Sequence, residues 1–245
     1  MTDILTTKIY KYATVFLDNF SRYSYMYLQQ TASSEETIEG KHAFESMIAS
    51  HGIIIEQYHA YNGIFRANSW VQHCQEHANQ HLTTYTRVDD HHTNGLAERR
   101  IRDIQDNVRA MILRAQHKWL EAITANLWPY DLRYDINAYN ATPLLAYPHG
   151  LSPLQIFTET QFQDNPNHLH PFVCPPYFLD EALYSSQQIH QKLKTRSKVG
   201  VYLGRSPLHN HDVAWFLNRE SSLVSQQFHV RYDPLFTTSK YLYPS

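Results

Sequence analysis

Along the chain the apolar residues fall at two periods, and each change of period predicts a boundary between elements. Residues 10–17 (Y-K-Y-A-T-V-F-L) and 23–29 are rich in β-branched and aromatic types, and the polar stretch Asp18-Asn19-Phe20-Ser21 separates them, which predicts a β-hairpin. From Ser34 to Ser50 the spacing of Ile38, Phe44, Met47 and Ile48 becomes helical, with Ser34 as the expected cap and an acidic first turn at Glu35 and Glu36. Ile53, Ile54 and Ile55 open a short strand expected to run to about His59, and Tyr61-Asn62-Gly63 makes a turn that puts position 61 at the strand's C-terminal end. A second helix is expected over 68–77 and a short strand over 82–86.

After a polar loop at 87–93, Leu96, Ile101, Ile104, Val108, Met111 and Ala115 recur every three or four positions behind Thr93 or Asn94 as a cap. This is the most regular helix in the sequence. Another helix is expected over 119–139, then an irregular connector over 147–171. Short strands at 176–179, 199–203, 213–217 and 224–232, with turn signals between them, predict a small β-barrel.

Composition narrows the class. The 245 residues suffice for one large domain or two small ones, and 42% hydrophobic with 18% charged residues is globular rather than disordered or collagen-like. A formal net charge of −2 creates no overall field for a polyanion, so nucleic-acid binding would need local basic patches. Two distant cysteines, Cys74 and Cys174, argue against a disulfide framework or a cysteine zinc site. The N-terminal residues carry no long apolar run, so neither signal peptide nor membrane span is expected, and the expected location is nucleus or cytoplasm. The tryptophans Trp70, Trp119, Trp128 and Trp215 read as packing residues rather than base-stacking platforms.

Several motifs resemble those of copia-type retrotransposon integrases. They are Y-K-Y-A-T-V-F-L-D-N-F-S-R-Y-S-Y at 10–25, Y-H-A-Y-N-G-I-F at 58–65, T-N-G-L-A-E-R-R-I-R-D-I at 93–104, A-T-P at 141–143, G-L-S-P-L-Q-I-F at 150–157, H-P-F-V-C-P at 170–175 and R-S-K-V-G-V-Y-L-G at 196–204. They occur in order over nearly the whole chain. The resemblance implies an α/β fold, an RNase H-like mixed sheet with flanking helices, followed by a small SH3-like β-barrel domain. The domains expected are 1–140 for the catalytic core, 141–170 for a connector and 171–245 for the SH3-like part.

Such integrases are similar to other two-metal polynucleotidyl transferases, in which three carboxylates hold Mg²⁺ ions about 4 Å apart, one activating the attacking oxygen and one stabilising the leaving oxygen. Acidic oxygens are needed because Mg²⁺ is hard and octahedral. Glu98, in N-G-L-A-E-R-R, matches the third acid. The second acid is expected in a pattern like H-A-D-N-G, where this chain reads His59-Ala60-Tyr61-Asn62-Gly63; Tyr61 is a phenol, protonated at neutral pH. Glu98 follows Tyr61 by 37 residues, close to the separation that the resemblance implies. The first acid belongs on a strand upstream of the hairpin, where only residues 1–9 precede it, so this central strand is expected to be missing. Asp18 matches a turn of the family pattern rather than the metal-bearing strand, and Asp89, Asp90, His91 and His92 read as a solvated loop.

The nuclease site is therefore expected to be dead, with Glu98 a vestigial metal ligand and no Mg²⁺ held. A missing central strand should also leave the hairpin and the 53–59 strand facing each other across a gap of about 9 to 10 Å, two strand spacings, or else collapse the wrong edges together.

Basic residues point to phosphate. Arg102, Gln105 and Arg109 share the helix face of Glu98, and with Arg99 they are candidate DNA contacts. Six basic residues oppose three acids over Gly95–Lys118, counting Arg100 among the six. Lys192, Lys194, Arg196, Lys198 and Arg205 form a second run without an acid. Lys194, Arg196 and Lys198 are further candidates for weak, sequence-independent, salt-sensitive binding. The implied partners are DNA and a second copy of the chain, with no membrane. Val173, and Ser221-Ser222, stand where the family pattern usually has glycine, which resembles decay without selection for strand transfer. Two further readings stay open: a non-catalytic DNA-binding or protein-interaction module, and an active nuclease recruiting Asp18 or Asp89.

Overall fold

The computed structural model describes residues 9–76, 82–86, 94–119, 123–145, 147, 150–160, 170–179, 197–206, 209, 213–219 and 221–238. The fold is mixed α/β and falls into two compact units, one from Ile9–Asp106 and Ile136–Gln163, the other from the described residues of Asn107–Asp135 and Asp164–Ser245.

In the first unit β1 (Tyr12–Leu17) and β2 (Ser24–Gln29) form the expected antiparallel hairpin, Tyr12 opposite Gln29 and Leu17 opposite Ser24. Asp18 fixes its turn by accepting from both the backbone N–H and the hydroxyl of Ser21, each at 2.6 Å. Helix α1 (Ser34–Ala49) follows, capped by Ser33 rather than the expected Ser34: the Ser33 hydroxyl accepts from the Glu36 N–H, because the cap must sit in extended backbone one residue before the helix. Gly52, at φ 72°, turns the chain out of the helix.

Strand β3 is only Gln57–Ala60, not the full 53–59 run. It pairs in parallel with β4 (Leu82–Tyr85), Gln57 opposite Leu82 and Ala60 opposite Tyr85, and the positions that would continue this register to Ile53–Ile55 lie outside the described residues. Helix α2 (Asn68–Glu76) lies between them in sequence. Phe16, Phe44, Ile48, Tyr58, Trp70 and Cys74 form this unit's core, with Phe16 stacked on Phe44 at 5.1 Å. Lys41 is wholly buried there, paired with Glu45 at 2.8 Å and 5.6 Å above the Tyr58 ring. Among the described residues β1–β2 and β3–β4 stay separate two-stranded sheets. No strand of one pair is hydrogen-bonded to a strand of the other among the described residues, so the alternative of wrong edges pairing is not seen there.

Helix α3 (Gly95–Lys118) and helix α4 (Trp128–Ala141) each contribute to both units. The helix expected over 119–139 begins nine residues later, after a 3-10 turn at Ala125–Leu127. Pro129 explains the shift, since proline lacks an amide hydrogen and is favoured in the first turn, where no partner is needed. The connector holds a helix the periodicity missed, α5 (Pro153–Thr158), with a capping box between Ser152 and Gln155 and proline at its start.

In the second unit five strands form an antiparallel sheet in the order β8-β7-β6-β5-β9. They are β5 (Pro176–Leu179), β6 (Ser197–Arg205), β7 (Ala214–Asn218), β8 (Val224–Gln227) and β9 (Arg231–Tyr232). The single strand expected over 224–232 is broken into two, with His229 at φ 56° between them. Trp119, Tyr130, Tyr202, Trp215 and Phe216 are buried in its core, and the Trp119 indole N–H donates to the Val173 carbonyl at 2.8 Å. Trp70, Trp119 and Trp215 are core residues as expected; Trp128 is only half-buried. Cys74 and Cys174 are buried and free.

Candidate functional site

Two short segments of the first unit bring the candidate acid and its neighbour together. Strand β3 ends at Ala60, so Tyr61 is the first residue beyond its C-terminal end, as the turn signal implied. Asn62 anchors that end by donating to the Thr86 carbonyl at 3.0 Å, and Gly63, at φ 93°, makes a turn that side chains rarely adopt. Helix α3 starts at Gly95, with the Glu98 N–H donating to the Asn94 carbonyl at 3.1 Å, which puts Glu98 in the first turn, where the helix dipole favours a carboxylate. Glu98 is half-buried, at the edge of the stripe defined by Ile101 and Ile104.

The Tyr61 phenol and the Glu98 carboxylate are near enough to each other for the carboxylate to act on the phenol's titration. Burial, then the negative charge and hydrogen bond of Glu98, push the phenol up to about 12 from its ordinary value of 10.0. Tyr61 therefore stays protonated across the whole physiological range.

A divalent ion needs the opposite arrangement. Mg²⁺ binds anionic and carbonyl oxygens, and here the neighbour of the one carboxylate is a protonated phenol. Among the described residues no three His, Cys, Asp or Glu side chains converge on a common point. The described residues around Glu98 do not supply the set of acidic oxygens that a pair of Mg²⁺ ions needs. Asp18 is committed to its own turn, bonded to Ser21. Asp89, Asp90, His91 and His92 lie outside the described residues.

The basic candidates divide. Arg99, Arg102, Gln105 and Arg109 are all exposed on α3. Arg100, counted with them from the sequence, is buried at 4% exposure and unavailable to a phosphate. Its Nε donates to the Ser24 hydroxyl at 3.1 Å, and its guanidinium lies 3.7 Å from the Tyr139 ring centre, so it ties α3 to β2 and α4. Asn140 continues the tie, accepting from the Ser24 N–H at 3.0 Å and donating to the Ser24 carbonyl at 2.8 Å. A signal for Arg100 was present: it sits four residues before buried Ile104, on the stripe rather than opposite it. In the second run Lys198 is exposed on β6, while Lys192, Lys194 and Arg196 lie outside the described residues.

Comparison with known proteins gives one extended sequence match. Over 246 aligned residues, 98% of this chain, it is 28% identical to the Retrovirus-related Pol polyprotein from transposon RE1 of Arabidopsis thaliana. The chain spans only 15% of that polyprotein. The resemblance to a copia-type Pol polyprotein, read from the motifs, is borne out along the chain. No protein-family model matches.

Solved structures with a similar trace include a chain of the simian T-cell lymphotropic virus intasome in complex with PP2A regulatory subunit B56 gamma, at 14% identity and TM-score 0.45 over 90% of this chain and 71% of that one. The HTLV-2 integrase catalytic core domain in complex with magnesium, in its trimeric form, is 18% identical at TM-score 0.43, over 58% and 82%. The catalytic core domain of BIV integrase is 16% identical at TM-score 0.43, over 60% and 85%. At these levels the overlaps do not by themselves define the fold.

Proposed function

We propose that this chain derives from the integrase region of a retrotransposon polyprotein, keeps a catalytic-core scaffold and has lost metal-dependent strand transfer. One juxtaposition carries the reading: a protonated Tyr61 phenol stands beside the Glu98 carboxylate where two acids would have to share metal ions. A phenol raised to about 12 does not ionise to replace the missing charge. The role that remains is non-catalytic binding of DNA phosphates by Arg99, Arg102, Gln105 and Arg109 on α3 and by Lys194, Arg196 and Lys198.

Cleavage of a labelled duplex in Mg²⁺ or Mn²⁺ tests the first half. The chain and its Glu98→Gln form should give the same background rate; faster cleavage that requires Glu98 would refute the reading. For the second half, DNA affinity should fall with salt at a slope set by the phosphates neutralised, roughly −0.9 for each. Replacing Lys194, Arg196 and Lys198 together by alanine should flatten that slope by roughly three. An unchanged slope would remove these residues from the interface and favour a protein-interaction module.

A further inference from the structure

Helices α1 and α2 of the first unit bring two imidazoles together on residues that neither strand transfer nor phosphate contact involves. The rings of His42, on α1, and His73, on α2, have centres 4.4 Å apart and planes at 86° to each other. The core holds both from behind. Lys41 and Cys74, their neighbours in sequence, are 0% and 1% exposed, and Phe44 and Trp70 of the same two helices are buried in one cluster with Cys74, so the backbone beneath each histidine is fixed by packing. The rings themselves stand at the rim, His42 exposed and His73 half-buried, where an ion from solvent can reach them.

Their chemistry selects the kind of ion. Each neutral imidazole carries one ring nitrogen with a lone pair, and imidazole pairs suit borderline divalent ions such as Zn²⁺, Cu²⁺ and Ni²⁺. On a tetrahedral ion with metal–nitrogen bonds of about 2.0–2.1 Å, two such nitrogens lie about 3.3 Å apart and the ring centres behind them about 5 Å apart. Side-chain torsions alone can open the observed 4.4 Å to that spacing while both helices stay in place.

Hard ions find no support at this rim. The carboxylates flanking His42 on α1 are already engaged: Glu39 accepts from the Tyr27 hydroxyl at 3.2 Å, and Glu45 accepts from the Tyr58 hydroxyl and pairs with the Lys41 ammonium, each at 2.8 Å. Mg²⁺ and Ca²⁺ bind oxygen and gain little from two imidazoles.

We infer that His42 and His73 form a two-histidine binding site for a divalent transition ion of the Zn²⁺ class. Among the described residues no group of three His, Cys, Asp or Glu converges, so water completes the coordination and the site is open rather than caged. The bound ion clips α1 to α2 and stabilises the folded first unit, because the unfolded chain does not hold the two rings together.

The test uses the full 245-residue chain with Zn²⁺ as the probe, and reads the side-chain resonances of His42 and His73 individually by NMR because the sequence contains 16 histidines. The two rings should respond together and saturate with a single equivalent of ion, and millimolar Mg²⁺ should leave both unmoved. His42→Gln and His73→Gln remove one nitrogen ligand each while keeping a polar side chain at the rim. Either should weaken Zn²⁺ binding at the remaining ring roughly tenfold or more and abolish the rise in melting temperature that Zn²⁺ gives the parent chain. Rings that titrate at different Zn²⁺ concentrations, no response of either ring, an equal response to Mg²⁺, or a His73 ring that binds as tightly in His42→Gln as in the parent would each overturn the inference.

Discussion

Val173 and Ser222, two positions where the family pattern usually has glycine, both adopt left-handed backbone, at φ 58° and 54°. An L-residue there costs roughly 1–2 kcal/mol, while glycine costs nothing sterically but loses about 0.5–1 kcal/mol more conformational entropy on folding. Substituting glycine therefore offers each site a net gain of about 0.5–1 kcal/mol from the backbone alone. Ser222 is exposed at the tip of the β7–β8 turn, which is closed by the Asn218 N–H donating to the Leu223 carbonyl at 2.8 Å. Ser222→Gly should realise the whole gain and raise the melting temperature of this unit by roughly 2–5 °C.

Val173 is 2% exposed in the core, so its side chain holds about 1.5–3 kcal/mol of burial that glycine forfeits. Val173→Gly should therefore destabilise by about 1–2 kcal/mol despite relieving its backbone. Thermal and urea unfolding followed by tryptophan fluorescence reads both, since Trp119 and Trp215 are buried in this unit. A neutral or destabilising Ser222→Gly, or a Val173→Gly more stable than the parent, would refute the argument that backbone strain sits at these two positions.

Three other outcomes are expected. Tyr61→Asp replaces the phenol with a second acid beside Glu98, so without metal it should be less stable by about 1–2 kcal/mol at pH 7, and millimolar Mn²⁺ should recover part of that in a melting experiment; no metal dependence would mean that the two side chains do not share a site. Asp131 is fully buried, both its carboxylate oxygens lack a hydrogen-bond partner among the described residues, and burial followed by the charge of Asp135 raises it from 3.8 to about 8. Its contribution to stability is complete below pH 3.8 and lost as pH rises toward 8, so Asp131→Asn should stabilise by about 3–5 kcal/mol at pH 8 and by little at pH 4; a gain independent of pH would exclude ionisation as its cause. Arg100→Ala should cost about 2–4 kcal/mol by leaving the buried Ser24 hydroxyl and the Tyr139 ring uncovered and leave DNA affinity nearly unchanged; a loss of affinity as large as for Arg102→Ala would return Arg100 to the interface.

Local chemistry alone determined much of this protein. Hairpin residues, cap signals and the regular apolar stripe of α3 specify their elements because each depends on neighbours a few positions away, and the motif order points to Tyr61 as the residue expected where the resembled pattern has an acid. Pro129 and the Ser152–Gln155 box are equally local signals, which mark helix starts that apolar periodicity does not show. What needed tertiary structure was every property set by distant partners. Arg100 carries the same formal charge as Arg99, but only the fold covers it with Ser24 and Tyr139. Ile53–Ile55 have the composition of a strand, yet a strand exists only where another edge lies within hydrogen-bonding distance, and the described ladder with β4 runs from Gln57 to Ala60. The approach of Tyr61 to Glu98 belongs with these, because the proximity of residues 37 positions apart is decided by where a strand end meets a helix start.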